Sequence, residues 1–186
     1  MRIIGGRWGG RRIKAPEGPA VRPTADRVRE AWMSALGGRL DGLTVLDLFA
    51  GSGALGLEAL SRGAAHATFV EIARAGLKVL EDNVQILEAG GQTTVVKADS
   101  FKYVRRLDAG AFDLVLADPP YGKGHAAALL RHFSDVPFAR ELWVEHRTGE
   151  RLPEMYGLRN RRYGDTTLTT ASVEAAGDEP PTREQA

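Results

Sequence analysis

The chain contains no cysteine, which excludes disulfides and thiolate metal sites. It has no apolar run near the ~18 residues a membrane span needs. The basic N-terminus lacks the apolar segment of a secretory signal, so a cytoplasmic location without a membrane anchor is expected. The four histidines (His66, His125, His132 and His146) show no ligand spacing and no acidic partner in register. Surface or hydrogen-bonded histidines are the simpler reading, and no metal site is expected. Net charge is nearly absent as well, at +1. The sum hides an asymmetry. Residues 1–29 hold eight Lys/Arg against Glu17 and Asp26, a balance of +6, which leaves −5 for the remainder. A basic arm on a mildly acidic body suits an anionic partner, although a solvated leader would have the same composition.

What is present describes one ordinary domain. At 186 residues and 43% apolar content the chain can bury a sizeable core without staples. No internal repeat is visible. The Gly-rich stretch from Arg2 to Lys14 has an Ile-bearing run at each end and reads as a small hairpin or arm. Within it, Trp8 among Arg7, Arg11, Arg12 and Lys14 offers a stacking face beside phosphate-binding charges; packing of that Trp against the body is the plainer alternative. Pro16, Pro19 and Pro23 mark a loop. Thr24 caps a helix to about Leu36, where Val28, Ala31, Trp32, Ala35 and Leu36 make one apolar face. Arg27, Arg29 and Glu30 lie off that face.

From Thr44 the pattern alternates. Strands are expected at 44–48, 66–71, 93–97, 112–117 and 141–146, with helices near 54–62, 73–89, 100–107 and 125–133. Leu77, Leu80, Val84 and Leu87 form a core stripe in the longest of these helices. Alternation of this kind means an α/β fold, a mostly parallel sheet with helices on both faces. Two further strands, near 157–163 and 165–172, turn at Gly164-Asp165. The polar, Pro-containing residues 173–186 have the composition of a disordered tail. The expected organisation is an arm over 1–23, a domain over 24–172 and that tail.

Two loops carry the chemistry. Asp118-Pro119-Pro120-Tyr121 ends the apolar run 112–117. Consecutive prolines lock φ and hold a peptide carbonyl beside the Asp carboxylate. Two acceptors followed by an aromatic ring suit a planar base with an exocyclic amino group. A Pro-Pro turn that merely ends a strand is the bland alternative. The second loop, Asp47-Leu48-Phe49-Ala50-Gly51-Ser52-Gly53, closes the run 44–46. Gly51-Ser52-Gly53-Ala54-Leu55-Gly56 also matches the dinucleotide fingerprint, with Glu71 twenty residues beyond Gly51. A nicotinamide oxidoreductase is therefore a rival. Against it, Asp47 would meet a pyrophosphate with negative charge, and the Pro-Pro loop would have no purpose. No Lys follows the glycines as phosphate-loop chemistry requires, and Ser52 does not sit in a nucleophile-elbow pattern.

Ile3-Ile4-Gly5-Gly6, Arg22-Pro23-Thr24 with Asp26 to Glu30, the loop from Asp47 to Ala59, Asp118 to Tyr121, and Tyr163-Gly164-Asp165-Thr166 occur in one order. Together they resemble the bacterial RsmD family, guanine-N2 methyltransferases of 16S ribosomal RNA that use S-adenosylmethionine (SAM). The resemblance covers residues 1–172. It implies a Rossmann-like class I SAM methyltransferase fold with seven strands and a C-terminal antiparallel hairpin. It also implies residue roles. The cofactor would lie against Arg22, Thr24, Asp47, Phe49, Ala50, Gly51, Ser52, Gly53, Glu71, Ile72, Asp99 and Ser100. Glu71 would face the ribose and Asp99 the adenine amino group. Asp118, Pro119, Pro120 and Tyr121 would hold the target guanine. Arg7, Trp8, Arg11, Arg12, Lys14 and Arg27 would meet RNA, free or in a small-subunit assembly particle, with the protein a monomer. Ala73 departs from the family, whose members commonly place a polar cap there. An adenine-N6 or cytosine-N4 methyltransferase on DNA or RNA is the alternative enzyme, and a non-catalytic RNA-binding module the alternative class.

Overall fold

The computed structural model describes residues 1–15, 23–37, 40–155 and 157–173. The Arg22 position and residues 174–186 of the expected tail lie outside the described residues. For 23–28 the backbone helix is described without the side chains.

Among the described residues the chain forms five α-helices and seven strands. In order they are α1 (Pro23–Ala35), β1 (Thr44–Leu48), α2 (Ala54–Ser61), β2 (His66–Glu71), α3 (Arg74–Ile86), β3 (Thr93–Lys97), α4 (Ser100–Val104), β4 (Phe112–Ala117), α5 (His125–Asp135), β5 (Ala139–Arg147), β6 (Arg159–Tyr163) and β7 (Thr166–Ser172). The strands make one sheet in the order β3-β2-β1-β4-β5-β7-β6. β1 to β5 pair in parallel, while β7 runs antiparallel between β5 and β6. The short apolar runs are buried on both faces, as parallel strands covered by helices must be: Val45, Leu46 and Leu48 of β1 and Val115, Leu116 and Ala117 of β4 are fully enclosed. Two apolar clusters lie on the two sides of the sheet. One joins Trp32, Leu57 and Leu60 to Phe69; the other joins Leu129, Leu130 and Phe133 to Val115 and Leu142.

The order reverses between β1 and β4. Ligands of open α/β sheets bind at that switch, outside the carboxyl ends of the strands. Leu48 pairs with Ala117 there, so the two loops singled out in the sequence leave the sheet side by side. At the other end of this pair the Asp113 carboxylate accepts from the N–H and hydroxyl of Thr44, both at 2.8 Å, clipping β1 to β4.

The first fifteen residues form a small hairpin closed by an Arg2–Arg12 bridge, with a 3-10 turn at Gly6–Trp8. It is docked on the body. Ile3 and Ile13 are buried, and the fully enclosed Glu58 of α2 accepts from Ile4 N at 2.7 Å and Gly5 N at 2.9 Å. A Cβ on Gly6 would fall 1.8 Å from the Ser61 carbonyl, so only glycine permits this approach. Trp8 corrects the stacking expectation. It is 8% exposed within the apolar cluster, its backbone N–H donating to Ser61 Oγ and its ring covered by the Arg7 guanidinium. Arg29 is likewise no surface cation: it is buried and donates to the Arg2 carbonyl at 2.6 Å.

Two helices are shorter than their periodicity predicts. α3 stops at Ile86 because Glu88 takes a left-handed φ of 57°, and Ala89 N then bonds back to the Val84 carbonyl. α4 spans only Ser100–Val104.

Candidate active site

Asp47 is at the centre of the glycine loop. It is 1% exposed, and its Oδ2 accepts from Gly56 N at 2.9 Å. Burial pushes its pKa well above the ordinary carboxylate range. The Gly56 N–H works against that rise, and the charges of Asp118 and Glu71 add to it. The chain passes Phe49 at a left-handed φ of 58°, a conformation that costs a bulky residue energy. Ser100 Oγ accepts from Phe49 N at 3.2 Å, and the Phe49 ring stacks on His125 with centroids 5.6 Å apart. Gly56 lets α2 lie directly on β2, for a Cβ there would sit 2.4 Å from the Phe69 ring.

Glu71 ties the loop to the next strand and helix. One carboxylate oxygen accepts from Gly51 N at 2.8 Å and the other from Ala73 N at 2.6 Å. Ala73 is the N-cap of α3 and provides no side-chain cap; Glu71 takes the Ala73 N–H but not the first-turn N–H groups that a capping side chain would accept. Ile72 beside it is 60% exposed, a large apolar side chain presented at the site. Ala50 and Ser52 are buried, and the Ser52 carbonyl accepts from the enclosed Asn83 at 2.9 Å. Asp99 caps α4 through Lys102 N at 2.9 Å.

Across the switch point, Asp118 is exposed to solvent at the end of β4, with protein atoms crowded around it. Loss of hydration there, and then the nearby Glu145 carboxylate, push its pKa up to about 7. Pro119 is buried and Pro120 exposed. Tyr121 is 36% exposed, its hydroxyl donating to Glu145 Oε1 at 2.5 Å and lying 3.1 Å from Thr166 Oγ1. Burial raises the pKa of Glu145 too, opposed by the Tyr121 hydroxyl. The indole N–H of Trp32 on α1 is oriented towards Glu145 without closing a hydrogen bond.

The structure therefore brings Asp47, Phe49, Glu71, Ser100 and Asp118 together at one end of the sheet. The charges Asp47 feels are those of Asp118 and Glu71, all negative. Such a pocket suits a cationic ligand. Thr24 and Arg27 lie on α1, in the part whose side chains are outside the described residues. The arm cations sit apart, on the faces of α2 and α3. Arg11 bonds to the Ile86 carbonyl, Arg7 to Gln92, and Lys14 pairs with Asp82 at 2.6 Å. A cavity of about 640 Å³ lies at the opposite end of the strands, lined by Leu36, Leu43, Leu114, Pro137 and Val173. It takes no part in this chemistry. Among the described residues no cluster of three or more His, Asp or Glu side chains could hold a metal ion, and no helix is long and apolar enough to cross a membrane.

Glu145, His125, Trp32 and Asn83 were missed by sequence reasoning. Glu145 had a signal. It directly follows the apolar Leu142-Trp143-Val144, as Asp118 follows Leu114 to Ala117.

Comparison with known proteins agrees with this geometry. The family model described as "Conserved hypothetical protein 95" matches residues 1–172. The putative rRNA methyltransferase YlbH of Bacillus subtilis is 36% identical, with 89% of this chain aligned to 95% of that protein. Ribosomal RNA small subunit methyltransferase D of Escherichia coli is 44% identical over 67% of this chain, and the alignment spans 62% of that relative's length. A solved structure, the putative methyltransferase yhhF from Escherichia coli, superposes with a TM-score of 0.77 at 34% identity, covering 91% of this chain and 96% of the other. With this sheet order, these paired loops and a match over nearly its whole length, the chain belongs to the Conserved hypothetical protein 95 family, the RsmD family of class I methyltransferases.

Proposed function

We propose that this protein is a SAM-dependent methyltransferase that modifies the exocyclic N2 of a guanine in small-subunit (16S) ribosomal RNA. The observation that carries the reading is the pairing of Asp47 and Asp118 at adjacent strand ends, with a glycine loop on one side and a Pro-Pro-Tyr turn on the other. The relatives' names, which specify ribosomal RNA of the small subunit, supply the substrate class.

SAM fits the pocket because its positive charge offsets the mutual repulsion of Asp47, Glu71 and Asp118. When bound it supplies an electrophilic methyl group. Asp47 and the backbone of Phe49, Ala50, Gly51, Ser52 and Gly53 would hold the end bearing the ammonium group, with Arg22 and Thr24 as further cofactor residues. Glu71 keeps lone pairs for ribose hydroxyls, since a carboxylate accepts about four hydrogen bonds. The exposed Ile72 would pack on the adenine, beside Asp99 and Ser100. Asp118 and the Pro119 carbonyl accept the amino protons of the target base. That would orient the nitrogen lone pair at the methyl and stabilise the charge that develops as the N–C bond forms and the methyl–sulfur bond breaks, S-adenosylhomocysteine being the leaving group. Asp118 then takes the released proton. Tyr121 stacks on the base, which must be unpaired or extruded to reach the turn.

The protein acts as a monomer in the cytoplasm on an assembling subunit, where the arm and Arg27 add phosphate contacts. The deciding experiment incubates it with labelled SAM and small-subunit particles lacking the modification, then digests the RNA to nucleosides. Label in N2-methylguanosine is expected. Label in a methylated adenosine or cytidine, or stabilisation by a nicotinamide cofactor in place of SAM, overturns the assignment.

A further inference from the structure

We infer that Glu145 is the specificity residue for guanine, accepting the ring N1–H while Asp118 and Pro119 accept from the neighbouring N2 amino group. The inference rests on the proposed guanine-N2 activity and goes beyond it by naming the group that chooses the base. Its ground is the strand register. Ala117 of β4 pairs with Val144 of β5, so the next residues along, Asp118 and Glu145, stand side by side where β4 leaves the sheet, while β5 runs on to pair Glu145 with Leu168 of β7. Asp118 feels the Glu145 charge, as neighbouring carboxyl groups do.

Glu145 is also held in place. Tyr121, the residue proposed to stack on the base, donates its hydroxyl to Oε1 at 2.5 Å, and Thr166 of β7 braces that hydroxyl at 3.1 Å. The carboxylate therefore lies in fixed relation to the ring that sets the plane of the base. A carboxylate has about four acceptor positions, and Tyr121 takes one. Glu145 is only half-buried, so acceptor positions remain at the mouth of the site.

The chemistry of the bases then discriminates. Guanine presents two adjacent donors on one edge, ring N1–H and the N2 amino group. Adenine and cytosine present an amino group beside a bare ring nitrogen, an acceptor that would meet the carboxylate lone pairs. A pocket with two acidic acceptors in a row matches guanine and leaves the other amino bases with an unpaired clash. Sites built on a required hydrogen bond reject the analogue lacking it strongly, by about 10⁴-fold in favourable cases.

The test uses small-subunit particles reconstituted with RNA carrying guanine or 2-aminopurine at the mapped target. 2-Aminopurine keeps the amino group and replaces N1–H by an acceptor. The wild-type protein should prefer guanine by at least about 100-fold in kcat/KM. In Glu145→Gln the amide can donate to the bare nitrogen, so the preference should fall at least tenfold through a gain on 2-aminopurine. Glu145→Gln with both substrates slowed equally would mean that Glu145 only supports Tyr121, and would overturn the inference. So would a wild-type protein that does not discriminate. SAM-induced thermal stabilisation of the variant shows that it is folded, and Tyr121→Phe separates loss of the brace from loss of the acceptor. Wild-type protein that labels no guanine even in unsubstituted particles refutes the underlying activity instead.

Discussion

Asp118 has two consequences that can be measured separately. As an acceptor of amino protons it must be ionised, and its pKa is pushed up to about 7 by lost hydration and by Glu145. Single-turnover transfer should therefore rise with pH between about 6 and 8 and level off above. A rate flat across that window would exclude an Asp118 that ionises there. Stability runs the other way. A carboxyl whose folded pKa lies above its unfolded value of 3.8 contributes stability below the unfolded value, and that contribution is lost as pH rises through about 7. Asp118→Asn should then melt higher than the wild type at pH 8, with little difference at pH 4. Its SAM affinity should fall only modestly, since Asp47 and Glu71 remain, while methyl transfer falls by at least about 100-fold. Full activity in this variant would remove Asp118 from the mechanism. Asp113 shows the opposite sign: the Thr44 N–H holds its pKa down, so its clip on β1 strengthens above the usual carboxylate range and fails in acid.

The elements were readable in the sequence wherever an apolar run ended on a turn residue. Strands β1 to β4 fall where the alternation places them, and both loops of the site follow from Asp47 and Asp118 closing such runs. What escaped were residues whose purpose is set by a partner far along the chain. Asn83 and Glu58 read as ordinary polar positions on amphipathic helices, yet both are fully buried because the arm folds over them. Asn83 joins the Lys14 backbone to the Ser52 carbonyl of the glycine loop, and Glu58 accepts two arm N–H groups and the Arg62 guanidinium. Trp8 was open between two readings because a Trp among arginines has the same composition in a core and on an RNA surface. Docking decided it. Glu58→Ala removes the acceptor for that docking and leaves buried N–H groups without partners, at a cost of about 3–5 kcal/mol in urea unfolding. Trypsin should then cut at Arg11 or Arg12 before the body unfolds. Arm cleavage that keeps pace with the wild type would show that docking rests on Ile3, Trp8 and Ile13 instead.

Along the sequence the charge is split, +6 over residues 1–29 and −5 over the rest, and several of the arm's cations are already engaged. Lys14 sits 2.6 Å from Asp82, whose pKa the lysine draws down, so their charges largely cancel. Arg7 lies over Trp8 and bonds to Gln92, and Arg11 bonds to the Ile86 carbonyl; neither partner is anionic, so both guanidiniums keep their charge available. Arg12 is exposed with no acidic partner among the described residues. Binding that relies on phosphates releases counterions, and the slope of log affinity against log salt counts the phosphates neutralised. Arg12→Ala should therefore reduce that slope by about 1 for small-subunit RNA. Lys14→Ala should change it much less, because removing Lys14 also frees the Asp82 charge it had offset, and an Asp82→Asn change alone should steepen the slope. A filter-binding or anisotropy titration from low to moderate salt, run with all three variants, separates the outcomes. Equal slopes throughout would mean that RNA meets another face of the protein, and that the basic arm serves the fold it packs against.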